Sequence, residues 1–208
     1  MICGLDEAGR GPLAGPVCAA AVVLPEDFPV HCLGDSKKLS LRRREEARDQ
    51  IRAGALGWGI GWASEQEIDR LNILQASLLA MQRAFEALAA QWPAARELTE
   101  AVVDGLQVPA LCIPCRAQVK ADRTVPEVMA ASILAKTARD AQMEAYALLY
   151  PQYGYEKHKG YPTKEHRETI ARYGPSPIQR KTFRVKKTVP STSWLFLREL
   201  DEERDAPP

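Results

Sequence analysis

The hydrophobic positions along the chain fall into short runs that predict strands. Apolar runs bounded by Gly and Pro indicate strands at 2–6, 17–24, 101–103 and 111–119. Across 56–62, large hydrophobic residues alternate with three glycines. That alternation has the period of a strand, and the glycines indicate that another backbone approaches it closely.

Between these runs the pattern changes to the period of a helix. Ser40 and Ser64 are candidate N-caps, and Ser64 begins a capping box with Glu67. Hydrophobic residues recur at spacings of three and four across 74–92, which predicts a helix facing the core. Pro126 opens a helix that we expect to extend to about 149. Strands that alternate with helices predict an α/β fold with a central sheet.

Towards the C-terminus we expect a loop at 150–162 and then a short helix. Thr163 caps that helix, and Gly174-Pro175 ends it. Hydrophobic residues make up 46% of the 208 positions, which suits one domain with a sizeable core. The run at 17–25 is too short to span a bilayer, and no secretory signal is visible. We therefore expect a cytoplasmic protein that does not enter membranes.

The chain has five cysteines, an odd number that argues against a closed disulfide framework. Cys112 and Cys115 form a single CxxC pair. Zinc would need two further ligands, and the sequence offers no second pair. A redox dithiol is the alternative, but structural thiols fit this strand-like stretch better.

Positive charge is concentrated near the C-terminus although the formal net charge is only +1. Residues 156–187 contain ten Lys and Arg but only three acids, so the remaining chain is net acidic. Such a segment is either a phosphate-binding surface or an ordinary solvated face, and charge alone does not separate the two.

Acidic residues follow three of the predicted strands. Asp6 and Glu7 come after the first apolar run, Asp104 follows Val103, and Asp122 follows the stretch that ends near Val119. Such side chains collect at a sheet edge, where close carboxylates repel unless a cation lies between them. Hard oxygen ligands select Mg²⁺ or Mn²⁺. Ordinary turn or cap residues are the alternative that spacing leaves open.

Adjacent residues of a regular strand point to opposite faces of the sheet. For Asp6 and Glu7 to share ions, one of them would have to act from an irregular strand end.

Five stretches of the chain, taken together, resemble the type 2 ribonuclease H (ribonuclease HII) family. They are Asp6-Glu7-Ala8-Gly9-Arg10-Gly11-Pro12-Leu13-Ala14-Gly15-Pro16-Val17, Asp35-Ser36-Lys37-Lys38-Leu39-Ser40, Val103-Asp104-Gly105, Ala130-Ala131-Ser132-Ile133-Leu134-Ala135-Lys136 and His158-Lys159-Gly160-Tyr161-Pro162-Thr163. The resemblance covers residues 2 to about 184.

The resemblance implies a ribonuclease H-like α/β fold with a five-stranded mixed central sheet, flanking helices and a helical C-terminal part. It places a catalytic domain at 1–187, followed by an acidic tail at 188–208. It also implies an endoribonuclease that depends on Mg²⁺ or Mn²⁺ and leaves 3′-hydroxyl and 5′-phosphate ends. Its substrates would be RNA–DNA hybrids and DNA duplexes that contain ribonucleotides, and we expect a monomer.

The family's functional residues can be placed on this chain one by one. The catalytic and metal-binding acids fall on Asp6, Glu7, Asp104 and Asp122. The candidate substrate-binding residues are Gly9, Arg10, Gly11, Lys37, Lys38, Tyr161, Arg180 and Lys181. The glycine turn would read a ribose 2′-hydroxyl through its backbone, and Tyr161 would pack on the neighbouring sugar.

The chain departs from the family pattern near two of these residues. Ala121 replaces a glycine before the last acid, and Gln179 and Thr182 replace a His and a Ser around Arg180. Two other functions are considered: a hybrid-binding protein without catalysis, and a nuclease of this fold that needs longer RNA runs. All four acids are present, which argues against the first. The glycine turn and Tyr161 argue against the second.

Overall fold

The computed structural model describes residues 1–34, 36 and 39–183, and a five-stranded sheet lies at its centre. The strands are β1 (Cys3–Ala8), β2 (Val17–Val23), β3 (Gly57–Ala63), β4 (Ala101–Asp104) and β5 (Cys115–Gln118). Their order across the sheet is β3-β2-β1-β4-β5. The first three strands pair antiparallel, whereas β4 and β5 run parallel to β1. The predicted mixed sheet is confirmed.

Helices cover both faces of this sheet. They are α1 (Leu41–Gly54), α2 (Glu65–Leu71), α3 (Ile73–Gln91), α4 (Pro126–Leu149), α5 (Tyr155–His158) and α6 (Lys164–Tyr173). The predicted N-caps are confirmed: Ser40 accepts from the Arg43 amide, and Ser64 forms a capping box with Glu67. Among the helices described, none is long and apolar enough to cross a membrane.

Two hydrophobic layers hold the helices against the sheet. On one face Leu5 and Val103 belong to a buried cluster with Met81 and Phe85 of α3. On the other face the strand residue Val22 belongs to a second cluster, whose helical members come from α1 and α4. Successive residues of β1 and β2 therefore face different helices, as the period of a strand requires.

Glycines in β3 allow α3 to lie unusually close to the sheet. A Cβ atom on Gly59 would come within 2.2 Å of the Ala84 carbonyl oxygen, and one on Gly61 within 2.1 Å of that of Ala80. The predicted close approach of another backbone is confirmed, and the backbone is that of α3.

Two sequence-based boundaries are wrong. The strand expected at 111–119 is shorter, because Pro114 has no amide hydrogen for the ladder and Lys120 takes a left-handed φ of 61°. The segment 150–162, expected to be loop, contains a 3₁₀ turn and α5. The five cysteines are free thiols, and Cys3 and Cys18 are fully buried. Asp35, Lys37, Lys38 and the acidic tail lie outside the described residues.

Candidate active site

Two of the predicted acids meet at the carboxyl ends of neighbouring parallel strands. Leu5 of β1 is the register partner of Val103 of β4, and Asp6 and Asp104 are the next residues on each strand. The negative charge of Asp104 contributes to raising the pKa of Asp6. The sequence-based expectation that these strand ends converge is therefore met for this pair.

Asp6 lies in an environment that disfavours its charge. It is only 5% exposed, and burial raises its pKa well above the usual value, with further contributions from the charges of Glu7 and Asp104. Two hydrogen bonds lower the pKa of Asp6. One is with the side chain of Ser132 on α4, and the other is donated by the Glu7 amide to Asp6 Oδ1 at 2.7 Å. A divalent cation beside these carboxylates would relieve the remaining repulsion.

Glu7 leaves the strand on the opposite face from Asp6. It lines a cavity of about 330 Å³ with Asp104 and residues of α3, and it forms an ion pair with Arg10 at 3.2 Å. Both acids lie inside β1, which pairs regularly with β2 as far as Ala8. The expectation that one of them acts from an irregular strand end is wrong. Asp6 is level with Asp104, the last residue of β4, so β1 extends beyond this neighbour from Glu7 onwards.

The fourth acid is connected to the third through the backbone. Asp122 is buried in a 3₁₀ turn, Ala121–Arg123, and the Ala121 amide donates to Asp104 Oδ1 at 2.9 Å. The left-handed residue in this loop is Lys120, so Ala121 has no positive φ that would require glycine. Ala121 is instead buried with Val102 and Val128. Asp122 follows Ala121 in the same turn, and its part in the site stays a prediction.

These acids offer the oxygen ligands that Mg²⁺ and Mn²⁺ prefer. Among the described residues, no group of three or more His, Cys, Asp and Glu side chains is arranged closely enough to hold an ion. The donor chemistry and the raised pKa of Asp6 nevertheless fit a divalent cation.

The glycine turn and Tyr161 come together beside the acids. A Cβ atom on Gly11 would lie 3.5 Å from Tyr161 Cε1, so the ring lies beside the turn, about one side-chain atom away from it. Leu13 donates its amide to the Gly160 carbonyl at 2.8 Å, which joins the two segments. Tyr161 is 41% exposed and can therefore contact a ligand.

A cavity of about 360 Å³ connects Tyr161 with Glu7. Its lining residues are Glu7, Ala8, Ser36, Arg44, Ser132, Lys136 and Tyr161. Lys136 and Arg44 both form ion pairs with Asp140, at 2.7 Å and 3.3 Å. Arg44 is not among the site residues predicted from the sequence. It stands in a run of three arginines, and nothing in the sequence separates it from Arg42 and Arg43.

Comparison with known proteins identifies the family. A family model described as Ribonuclease HII matches residues 3–187. Ribonuclease HII of Treponema denticola is 55% identical over 196 residues, which cover 89% of this chain and 99% of the relative. Ribonuclease HII of Dechloromonas aromatica is 50% identical over 183 residues, which cover 88% of this chain and 90% of the relative.

The chain belongs to the ribonuclease HII family.

It is therefore a type 2 ribonuclease H, an endoribonuclease that hydrolyses RNA in hybrids with DNA and belongs to a metal-dependent family.

Solved structures show the same ribonuclease H fold. In the PCNA:RNase HII complex from Archaeoglobus fulgidus, the matching chain gives a TM-score of 0.70 at 24% identity, with 91% of this chain and 98% of that chain covered. Ribonuclease H2 from Pyrococcus horikoshii OT3 gives 0.66 at 24% identity, with 97% of each chain covered. Bst-RNase HIII in complex with Mn²⁺ gives 0.67 at 19% identity, with 83% of this chain and 62% of that chain covered.

Arg180, which the sequence predicts to bind substrate, does not lie on the surface. Arg180 is fully buried, and its guanidinium donates to the backbone carbonyls of Gly9, Arg10, Gly15 and Pro16. It therefore presents no surface to a phosphate. The two residues near Arg180 that differ from the family pattern are Gln179 and Thr182. Gln179 is buried, and the hydroxyl and the backbone amide of Thr182 both donate to the Asp69 carboxylate.

Three lysines of the basic segment are paired with acids of the same chain. Lys157, Lys159 and Lys164 form ion pairs with Glu165, Glu144 and Glu168, respectively. The hydrogen bond of Lys181 to Asp69, at 2.9 Å, is made by its backbone amide, and the residue is exposed. Lys181 therefore remains the candidate phosphate ligand of this segment within the described chain. Lys37 and Lys38 stay predictions from sequence.

Proposed function

We propose that this ribonuclease HII cuts on the 5′ side of a single ribonucleotide embedded in duplex DNA, as well as within longer hybrids. The observation that supports this proposal is that Tyr161 lies beside Gly11 of the turn and lines the same cavity as Glu7. A backbone turn that reads one 2′-hydroxyl and a ring that packs on the next sugar need only one ribonucleotide.

We assign the ions of the reaction, Mg²⁺ or Mn²⁺, to Asp6, Glu7, Asp104 and Asp122. Three observations support this assignment: the adjoining strand ends of Asp6 and Asp104, the raised pKa of Asp6, and the amide of Ala121 that links the third acid to the fourth. The solved relative Bst-RNase HIII binds Mn²⁺. When bound, such ions supply the positive charge that activates a water molecule and stabilises the leaving oxygen, giving 3′-hydroxyl and 5′-phosphate ends.

The protein's own groups select and orient the substrate. The amides of the Gly9–Gly11 turn can approach a ribose without an intervening side chain, and a 2′-hydroxyl both donates and accepts hydrogen bonds. The exposed part of Tyr161 lies against this turn and suits packing on the adjacent deoxyribose. Lys181, Lys37 and Lys38 are assigned to backbone phosphates, which position the duplex without reading its sequence.

DNA without a ribonucleotide should bind through its phosphates but remain uncut. A site built to hydrogen-bond one substrate group rejects the analogue that lacks it, because its own polar groups would be left unpaired.

The test is a cleavage map of end-labelled duplexes that carry one or four ribonucleotides. We expect a cut 5′ of the single ribonucleotide in Mg²⁺ or Mn²⁺. Cleavage within the run of four and none at the single site would leave a nuclease that needs longer RNA. The domain boundary at 187, the cytoplasmic location and the monomeric state stay predictions.

A further inference from the structure

Two arginines are buried beneath the glycine turn. Arg139 of α4 is 1% exposed, and Arg180 is fully buried. Their guanidinium groups bind backbone carbonyls, and neither takes part in an ion pair found among the described residues. Buried charges without a carboxylate are costly, so the carbonyls must be held firmly around them.

Arg180 fixes the turn itself. Its Nη2 lies 2.6 Å from the Gly9 carbonyl oxygen and its Nη1 3.0 Å from that of Arg10, while its Nε binds the Gly15 carbonyl at 2.8 Å. In a trans peptide the carbonyl and the following amide point in opposite directions. Because the carbonyls of Gly9 and Arg10 point towards Arg180, the amides of Arg10 and Gly11 point away from it.

Arg139 joins the segment that follows this turn, Ala14–Pro16, to the segment that carries Tyr161. It donates to Ala14 and Pro16 on one side, at 3.2 Å and 3.0 Å, and to the Lys159 carbonyl on the other, at 3.1 Å. It also passes directly beneath the turn, since a Cβ atom on Gly9 would lie 2.0 Å from Arg139 Nε. Gly9 has a φ of 102°, which also favours glycine at this position.

We propose that Arg139 and Arg180 are positioning residues that determine specificity for a single ribonucleotide. Arg180 sets the direction of the Arg10 and Gly11 amides, and Arg139 fixes the distance between those amides and Tyr161. Neither guanidinium touches the substrate. This inference rests on the proposed function, in which the turn and Tyr161 together read one ribose and its neighbour.

The test compares conservative variants on two substrates. Arg180→Lys and Arg139→Lys keep the charge but lose the planar fork that reaches several carbonyls at once. The measured quantity is the ratio of the cleavage rate at a single ribonucleotide to that within four ribonucleotides. That ratio does not depend on how much of each preparation is folded. The control is Arg83→Lys: its guanidinium also donates to a backbone carbonyl, that of Trp62, and its other hydrogen bonds are to Glu67, so it holds none of the carbonyls that Arg139 and Arg180 bind.

We expect each of the two variants to lower the ratio on the order of tenfold, which corresponds to misdirecting about one hydrogen bond, while the control leaves it unchanged. Thermal melting shows which of the two variants is folded. An unchanged ratio of the two cleavage rates in a folded variant would overturn the positioning role. If the wild type itself failed to cut at a single ribonucleotide, the proposed function would be wrong. The two failures are therefore distinguishable.

Discussion

The Ala121 amide donates to Asp104 Oδ1 at 2.9 Å, so the loop that carries Asp122 also orients the carboxylate at the end of β4. The two acids are separated by a whole strand in sequence, but a single hydrogen bond fixes one against the loop of the other. This contact lets the charge of Asp104 be removed without removing its structural role.

Asp104→Asn should abolish cleavage while the protein stays folded and still binds hybrid. Asparagine keeps an oxygen that accepts from Ala121 but takes one negative charge from the ion's ligands. We expect a loss of at least about 100-fold in activity with Mg²⁺, the scale on which removing a group that stabilises the transition state acts. Activity is measured on a hybrid duplex, and binding is measured with Ca²⁺, which should support binding without turnover.

The matched control for this variant is Asp49→Asn, which removes an exposed carboxylate of α1. It should leave activity unchanged. If Asp104→Asn kept more than a few per cent of the activity, the assignment of Asp104 to the ions would have to be abandoned.

The sequence could predict the part of the site that depends on strand ends. Asp6 and Asp104 follow buried strands, and their meeting requires only that β1 and β4 are parallel neighbours. The starts of α1, α2 and α4 could also be predicted from the sequence, because Ser40, Ser64 and Pro126 favour a helix start through their immediate neighbours alone.

The burial of Arg180 could not be predicted from its surroundings in the sequence. It stands in a basic segment, where an arginine is ordinarily solvated, and its partner Gly9 is 171 residues away. Arg44 was missed for the same reason, because only the packing of α1 on α4 brings it to Asp140. A local pattern shows that a charge is present but does not show which way its side chain points.

Lys181→Gln should weaken hybrid binding and flatten its dependence on salt. An exposed lysine that neutralises a phosphate releases about one counterion, so the slope of log K against log salt should fall by roughly one. The measurement is hybrid affinity over a series of salt concentrations. Lys37→Gln and Lys38→Gln, at the two other lysines that the sequence predicts to bind phosphates, are measured in the same way.

Arg96→Gln is the control for the salt series. Arg96 lies exposed in the 3₁₀ helix Pro93–Glu97 that precedes β4, at the other end of that strand from Asp104. It should leave the slope unchanged. A slope unaffected by all three lysine variants would place the nucleic acid on a different face of the protein.

His166 should make the protein less stable in mild acid. It is fully buried, stacked on His158 at a centroid distance of 4.4 Å, and its Nδ1 donates to the Tyr161 carbonyl at 3.0 Å. Burial, with a contribution from His158, lowers the pKa of His166 from 6.5 to about 4. The unfolded chain therefore binds a proton more readily, so this stability is present above pH 6.5 and is lost as pH falls towards 4.

The corresponding measurement is the free energy of unfolding at pH 7 and at pH 5. His166→Asn can keep a donor for the Tyr161 carbonyl but cannot be protonated. From pH 7 to pH 5 the free energy of unfolding of this variant should therefore fall by less than that of the wild type, the difference being on the order of 2 kcal/mol. His31→Asn, at an exposed position, should behave like the wild type. Equal decreases in wild type and His166→Asn would show that His166 does not cause the acid sensitivity.

In the proposed function, one site of the protein recognises a single ribose and cuts beside it. The most direct measurement is the single-turnover rate on three otherwise identical duplexes, whose one variable position carries a 2′-hydroxyl, a 2′-hydrogen or a 2′-O-methyl group. We expect a cut on the 5′ side of the ribonucleotide, no cut in the other two duplexes, and loss of most of that activity in Tyr161→Ala. Cleavage of the duplex with 2′-hydrogen, or an undiminished rate in Tyr161→Ala, would contradict the proposed function.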